Sequence, residues 1–536
     1  MITGAKILVD TLKENNVEYI FGVPGDIEGE FFKELKNSGI TFFNTMHEQS
    51  GAMMADVYSR LTGKLGVCFS TLGPGATNML TGIANAHQDR SSVLAISGQL
   101  PLKQQYRDSH QYIDLEVLFK PITKSTKMIY KAKDINSTIN ELINIAETET
   151  RGPVHVSIPV NVLSETEKTY RTIKSNKKVI FDYDKQLDQL IKLAEEANSI
   201  VAIIGNGVIR SNSNKKLQKF LEHYDIPFYT SFQGKGAIRN DHRLNCGVLS
   251  RHSQVVKKVL GKQDLIITFG FDVIEGVTQD VWSGAKNIVH IDSNTPTGDN
   301  TTYYPDVEII GDINDVLDKL ETKPINNLLL LSEAYLNTMK ISASAPDGID
   351  NMFPFHPAKI MKDLKNVLSD DDIVVSDVGL HKQAIGLYYE INRPNQAIFS
   401  NGLSTMGFAL PASMAAKIAH PEKKVVAICG DGGFQMNIQE LATAVENKLP
   451  IVYIVMNDGA YGMVKNKQLE TTGTYHAAEF KEVRNFEKIA KGFGAIGTTV
   501  NSTEELITTL KRALKSERVC VIDIPIQQYS DIEMMK

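Results

Sequence analysis

The chain is short of cysteine, with four in 536 residues. Cys68, Cys429 and Cys520 lie in apolar, strand-like runs and Cys246 follows a polar turn. No spacing among them suits a zinc site or a disulfide framework, so buried thiols in a reducing cytoplasm are expected. Long apolar runs are missing too: the densest, Leu328–Leu331, falls far short of the roughly 20 residues that cross a bilayer. The first residues, MITGAKILVDTLKENN, read as an amphipathic helix containing acids, without the apolar centre of a signal peptide. Basic blocks are also absent. With a formal charge of −6 and scattered lysines and arginines, the chain carries no nucleic-acid footprint. What remains is ordinary globular composition, 42% hydrophobic and 22% charged, in a chain long enough for several domains.

Helices and strands alternate through the first third: Ala5–Asn15, Tyr19–Phe21, Phe31–Lys36, Glu48–Leu61, Leu65–Ser70, Thr77–Ala86 and Val93–Ser97. This rhythm predicts α/β units with doubly wound parallel sheets. A lysine-rich stretch from Glu165 to Lys178 and a patternless one from Glu321 to Phe355 read as linkers, giving expected domains at 1–165, 184–330 and 356–536. In the second, the turn Gly205-Asn-Gly-Val after a strand raises a dinucleotide site. It lacks the third glycine of that fingerprint, and no acid has the ribose-binding spacing.

The stretch Val425–Met463 reads as strand, Gly430-Asp-Gly-Gly turn, amphipathic helix with Ile438, Leu441, Ala442 and Val445 on one face, a second strand, and an Asn457-Asp-Gly turn. Ligands in parallel sheets sit beyond the carboxyl ends of the strands, so Asp431 and Asp458 should share a crevice. Glycines let backbone approach an anion, and two acids beside it suit Mg²⁺. The turns Gly22-Val-Pro-Gly-Asp26 and Thr71-Leu-Gly-Pro-Gly-Ala-Thr-Asn78 occupy comparable places, and each alone could be a plain βα turn. Glu48 stands where a helix begins. There it could merely oppose the helix dipole, or, out of water, share a proton with a ligand nitrogen. His110 and Gln111 fit a solvated loop as well as a site.

Taken in order and spacing, H-E48-Q, T-L-G-P-G-A-T-N, S-N-G-L-S-T-M-G-F-A-L-P and G-D431-G-G-F with N-D458-G resemble thiamine diphosphate-dependent enzymes of the decarboxylase and acetohydroxyacid synthase superfamily. The resemblance covers nearly the whole chain. It implies an aminopyrimidine-binding first domain, a central domain and a diphosphate-binding third. It further implies active sites between subunits, hence a homodimer at least, with a homotetramer common. By the same resemblance Asp431, Asp458 and the Ala460 carbonyl would ligate Mg²⁺, with Asn457 bracing the turn. Gly379, Leu380 and His381 would reach the diphosphate with the amides of Gly432 and Gly433, and Tyr461, Gly462 and Met463 would follow along the cofactor. Met406 would support the bend between the cofactor's rings, and the Ser404 carbonyl would accept from its 4′-amino group. Glu48 would share a proton with the pyrimidine and so activate the cofactor to attack a 2-oxo acid.

After CO₂ leaves, capture by a proton gives an aldehyde and capture by a second 2-oxo acid gives a ligated product. Decarboxylases of this superfamily carry a glutamate where this chain has Val464, and a His-His pair where it has His110-Gln111. Both departures favour ligation, and Gln111 matches the synthases, whereas Asp26 in V-P-G-D looks decarboxylase-like. Lys467 matches catabolic, pyruvate-using enzymes, although Asn466 replaces their tryptophan. T-F-G-F-D-V-I-E replaces the arginine-containing segment of FAD-bearing synthases, which makes FAD unexpected. The resemblance is therefore strongest to FAD-independent acetolactate synthases, with a non-ligating decarboxylase and an FAD-containing biosynthetic synthase as alternatives.

Overall fold

The computed structural model describes residues 1–169, 182–249, 258–275, 282, 284–296, 304–326, 333–340, 345, 347–482 and 484–528. The linker stretch beyond residue 169 and the run Leu328–Leu331 lie outside them. Among the described residues are three six-stranded sheets, parallel throughout. The first runs in spatial order Thr41–Asn44, Tyr19–Gly22, Gly66–Ser70, Val93–Gln99, Val154–Pro159, Ser125–Met128. The third repeats that topology: Ala397–Phe399, Ile373–Ser376, Val425–Gly430, Ile451–Asn457, Cys520–Pro525, Ile496–Thr499. In both, the order reverses beside the first strand of the unit, and that is where a crevice opens at the carboxyl ends. No described helix is long and apolar enough to cross a membrane, and all four cysteines are buried and unpaired.

The first and third units share one hydrophobic core. Helix Glu48–Thr62 lies against helix Ala409–Ala419, and the small side chains Ala52, Ala55, Ala409, Ala412 and Ala416 permit the close approach. Every residue from Ser50 to Ser59 is buried, so this helix is enclosed on all sides and its first residue is held firmly. The helix expected after Asp431 is in fact two, Asp431–Met436 and Glu440–Glu446. Asn437 interrupts it by turning its Nδ2 to the Gly407 carbonyl (2.8 Å). The buried face also differs from the expected apolar one, because Glu440 is fully buried and its Oε2 accepts from the Met46 N–H and Thr443 Oγ1.

The central sheet has a different order: Asn245–Val248, Phe228–Thr230, Ile200–Ile204, Leu265–Phe269, Asn287–Asp292, Val307–Ile310. Numbered along the chain this is 3-2-1-4-5-6, the arrangement whose switch point binds dinucleotides. Here the switch point holds a carboxylate of the chain itself. Glu275 Oε1 accepts from the N–H of Asn206 (3.1 Å), in the glycine turn, and of Asp272 (3.3 Å). Burial pushes the Glu275 carboxyl up to about 7. Because the folded value lies above the unfolded one, the stability linked to this group is complete at acid pH and is lost as pH rises toward 7. Glu275→Gln is expected to remove about 2 kcal/mol of that decline between pH 5 and pH 8, leaving the variant more stable than wild type at pH 8. Denaturant unfolding at the two pH values checks this; an unchanged decline would clear Glu275 as its source.

Candidate active site

A cavity of about 260 Å³ opens at the switch point of the third sheet. Gly379, Leu380 and His381 enter it after strand Ile373–Ser376, and Asp431, Gly432 and Gly433 after strand Val425–Gly430. Asp458, Ala460, Tyr461, Gly462 and Met463 follow strand Ile451–Asn457, while Ser404 and Met406 come from the loop before helix Ala409–Ala419. All thirteen third-domain residues expected to hold the cofactor or the ion thus line one space, together with Val464.

Two acids meet at its floor. Asp431 accepts from the N–H of Gly432 (2.8 Å) and of Gly459 (3.0 Å), and Asp458 accepts from the Ala460 N–H (3.3 Å). Burial, and then the neighbouring Asp458 charge, push Asp431 up to about 7; burial also raises Asp458. Two carboxyls forced together out of water invite a cation between them. The described residues hold no group of three acidic, histidine or cysteine side chains placed to bind a metal ion, so further ligands would be carbonyl and phosphate oxygens. The Gly432 amide, expected to face a diphosphate, is here engaged by Asp431. Asn457 faces elsewhere, donating to Asp523 Oδ1 (3.0 Å).

The walls leave no room for side chains where the backbone turns. A Cβ on Gly432 would come within 2.6 Å of the Tyr461 ring, and one on Gly462 within 2.4 Å of Asp458 Oδ2. His381 is buried, and burial pushes it down to about 4, so its imidazole is neutral; its Nε2 has no partner among the described residues. An unpartnered ring nitrogen, a side-chain-free turn and a pair of acids form a donor set that fits a diphosphate with a divalent ion.

On the facing loop Ser404 adopts a left-handed backbone, φ 55°, which costs a non-glycine residue about 1–2 kcal/mol. Asp377 fastens the far end of that loop: its carboxylate accepts from the N–H of Gly407 (3.0 Å) and Ala409 (3.4 Å), as well as from Val378. Burial nonetheless raises Asp377 to about 6.

In the first domain, Glu48 begins its helix with only 9% of its surface exposed. Asn78, in the T-L-G-P-G-A-T-N turn, donates to Glu48 Oε2 (2.9 Å), and Gly75 leaves space beside Oε1, since a Cβ there would lie 3.2 Å away. Gln111, exposed at φ 59°, packs its backbone on Gly73 of the same turn; His110 beside it is exposed. Asp26 is exposed too, and it lies near a carboxylate that sequence reasoning missed. Glu28 is 1% exposed, accepts from Thr71 Oγ1 (2.9 Å) and is pushed by burial up to about 7. Its seat requires Gly98, where a Cβ would fall 1.8 Å from Oε1. Within one chain, neither Glu48 nor Asp26, His110 or Gln111 lines the third-domain cavity.

Three family models match in the same order as the sheets: the N-terminal TPP binding domain of thiamine pyrophosphate enzymes over residues 2–118, the central domain over 187–320, and the C-terminal TPP binding domain over 377–524. A probable acetolactate synthase large subunit of Methanococcus aeolicus is 33% identical across 100% of this chain and 94% of its own length. The acetolactate synthase of Bacillus subtilis is 32% identical across 98% of this chain and 94% of its own. An Escherichia coli acetolactate synthase isozyme 3 large subunit is 29% identical across 98% and 95%. With the three domain matches and similarity from end to end, the chain belongs to the thiamine pyrophosphate-dependent acetolactate synthase family.

Proposed function

We propose that this protein is a Mg²⁺-dependent, thiamine diphosphate-dependent carboligase that decarboxylates one pyruvate and joins the remainder to a second, forming 2-acetolactate and CO₂ in the cytoplasm. The observation that carries the reading is the pairing, in one cavity, of two buried acids with a side-chain-free turn and the unpartnered His381 Nε2. Asp431, Asp458 and the Ala460 carbonyl would hold the ion, and His381, Gly379, Leu380 and the Gly432–Gly433 turn the diphosphate. Met406 and the Ser404 carbonyl would orient the remainder of the cofactor, with Tyr461, Gly462 and Met463 closing one side. When bound, thiamine diphosphate supplies a carbon nucleophile and an electron sink for decarboxylation. Glu48 holds the proton exchanged with the cofactor's pyrimidine; Asn78 on Oε2 fixes its orientation, with Oε1 beside Gly75.

Among the described residues the cavity is lined only by third-domain ones, whereas Glu48, Asp26, His110 and Gln111 lie on the first domain. That separation supports sites completed by a second copy, so the chain acts as a homodimer at least and assembles as a homotetramer. Met46, Leu403 and Met436, more than 40% or close to it exposed near the site-bearing elements, are apolar surface suited to such a contact. The Glu275 carboxylate seated at the central switch point supports a protein without FAD, because it takes the N–H that a phosphate would need.

Val464 lines the cavity and offers no proton, which supports ligation over aldehyde release. Lys467 projects to solvent beside Glu470 (3.6 Å), and its residue type supports the catabolic, pyruvate-using type. The second reading, a non-ligating 2-oxo acid decarboxylase, is favoured by Asp26 and its titratable neighbour Glu28. Purified protein incubated with pyruvate, Mg²⁺ and thiamine diphosphate is expected to form acetolactate and to be colourless. Acetaldehyde as the sole product would establish the second reading instead, and a yellow preparation would refute the flavin-free one.

A further inference from the structure

The strained loop Asn401–Gly407 is fastened at its far end by Asp377, a residue of its own domain. Its near end is fastened by a carboxylate from a different domain. Asp89 closes helix Pro74–Gln88 of the first domain and is 1% exposed. Its Oδ1 accepts from the N–H of Gly402 (2.9 Å) and Asn401 (3.2 Å), and from Nε2 of Gln233 in the central domain (2.7 Å). Oδ2 accepts from Asn85 (3.2 Å), and Arg60 lies 3.6 Å away. The seam is tight: a Cβ on Gly402 would come 2.6 Å from the Gln88 Cβ and 2.8 Å from its carbonyl oxygen. One turn back on the same helix, Asn85 Oδ1 accepts from Ser400 Oγ (2.6 Å), and Ser400 Oγ in turn accepts from the Thr405 N–H (2.8 Å).

We infer that Asp89 is a positioning residue for the cofactor. Between the two carboxylates lie Ser404, in its left-handed conformation, and Met406, both facing the cavity. A backbone held away from its preferred region persists only where the surroundings over-determine it. Here the two backbone N–H groups bound by Asp89 and the two bound by Asp377 clamp the loop from opposite ends. The helix that Asp89 terminates carries Asn78, the Glu48 partner, near its other end, so one rigid element sets the orientation of Glu48 for one site and the height of the Ser404 carbonyl for the other. The inference rests on the proposed function for its cofactor, but the strap itself exists without one.

Two variants and a control test it in the full-length chain. Asp89→Asn turns an amide toward donors and loses the charge that holds two loop N–H groups. It should raise the Kd for thiamine diphosphate with Mg²⁺, measured calorimetrically, about tenfold, and lower kcat at saturating cofactor about tenfold with the pyruvate KM within about twofold. Gln233→Ala cuts the link from Asp89 to the central domain without touching the loop, and should leave Kd and kcat within about twofold of wild type. Gly402→Ala keeps Asp89 and pushes the loop off the helix end, so it should reproduce the Asp89→Asn effects, and it decides the matter if Asp89→Asn does not fold. Hydrogen exchange of the cofactor-free chain reads the strap by itself: amides 401–406 should exchange faster in Asp89→Asn and not in Gln233→Ala. Unchanged exchange and affinity in the folded Asp89→Asn and Gly402→Ala chains, or equal losses in Gln233→Ala, would overturn the inference. A wild-type chain that binds no thiamine diphosphate would instead refute the functional reading, while the exchange result would still judge the strap.

Discussion

Replacing Glu48 by glutamine should lower turnover at least about a hundredfold, the scale on which positioned acid–base groups act, while the third-domain cavity continues to bind thiamine diphosphate and Mg²⁺. Glutamine preserves the shape of the side chain and can still accept from Asn78, so the buried helix Glu48–Thr62 should fold unchanged. What it loses is the proton. Wild-type turnover in Glu48→Gln would remove this residue from its role. The same variant also tests where Glu48 acts. Mixed with an Asp431→Ala chain, it should recover about a quarter of wild-type activity if each site draws Glu48 from one copy and Asp431 from another, since half the dimers are mixed and each holds one intact site. No recovery on mixing exchange-competent chains would mean that both residues serve the same site from one chain.

The strands read from the sequence, such as Tyr19–Phe21, Leu65–Ser70 and Val93–Ser97, are inner strands of the three sheets, and the six edge strands of those sheets escaped notice. Thr41–Asn44, Ser125–Met128, Asn245–Val248, Val307–Ile310, Ala397–Phe399 and Ile496–Thr499 each border one side of a sheet. Inner parallel strands are covered on both faces and read as unbroken apolar runs, as in Leu265–Phe269. An edge strand such as Ser125–Met128, with no fully buried residue, carries no such signal. The third-domain site was legible because its chemistry sits in turns whose residue types are hard to explain otherwise, glycines and acids at strand ends. Glu28, Asp89 and Asp377 were not, because their meaning depends on what faces them: Gly98 and Thr71 for Glu28, the 401–402 amides for Asp89, the 407–409 amides for Asp377. A buried carboxylate looks like any surface acid until the opposing backbone is known. The broken helix after Asp431 teaches the same lesson, since Asn437 and Glu440 answer to Gly407 and Met46 rather than to helical periodicity.

The second large effect concerns the acid pair. Treatment with a chelator followed by dialysis should reduce turnover to background, and Mg²⁺ with thiamine diphosphate together should restore it. The two acids should then separate by substitution. Asp458→Asn keeps an oxygen ligand and relieves the crowding of like charges that raises Asp431, so turnover should stay within about tenfold of wild type, with a higher Mg²⁺ requirement. Asp431→Ala removes one of the two carboxylate ligands outright, leaving Asp458 alone, and also strands the Gly432 and Gly459 amides, which hold the two turns together across the cavity floor. It should lower turnover more than about a hundredfold, with loss of measurable cofactor binding. The difference between the two variants is the informative quantity. If Asp458→Asn were as damaging as Asp431→Ala, the pair would act through its two charges rather than through one charge and one oxygen. If neither mattered, the cation would have to be held elsewhere, and the cavity would lose its assignment as the diphosphate site.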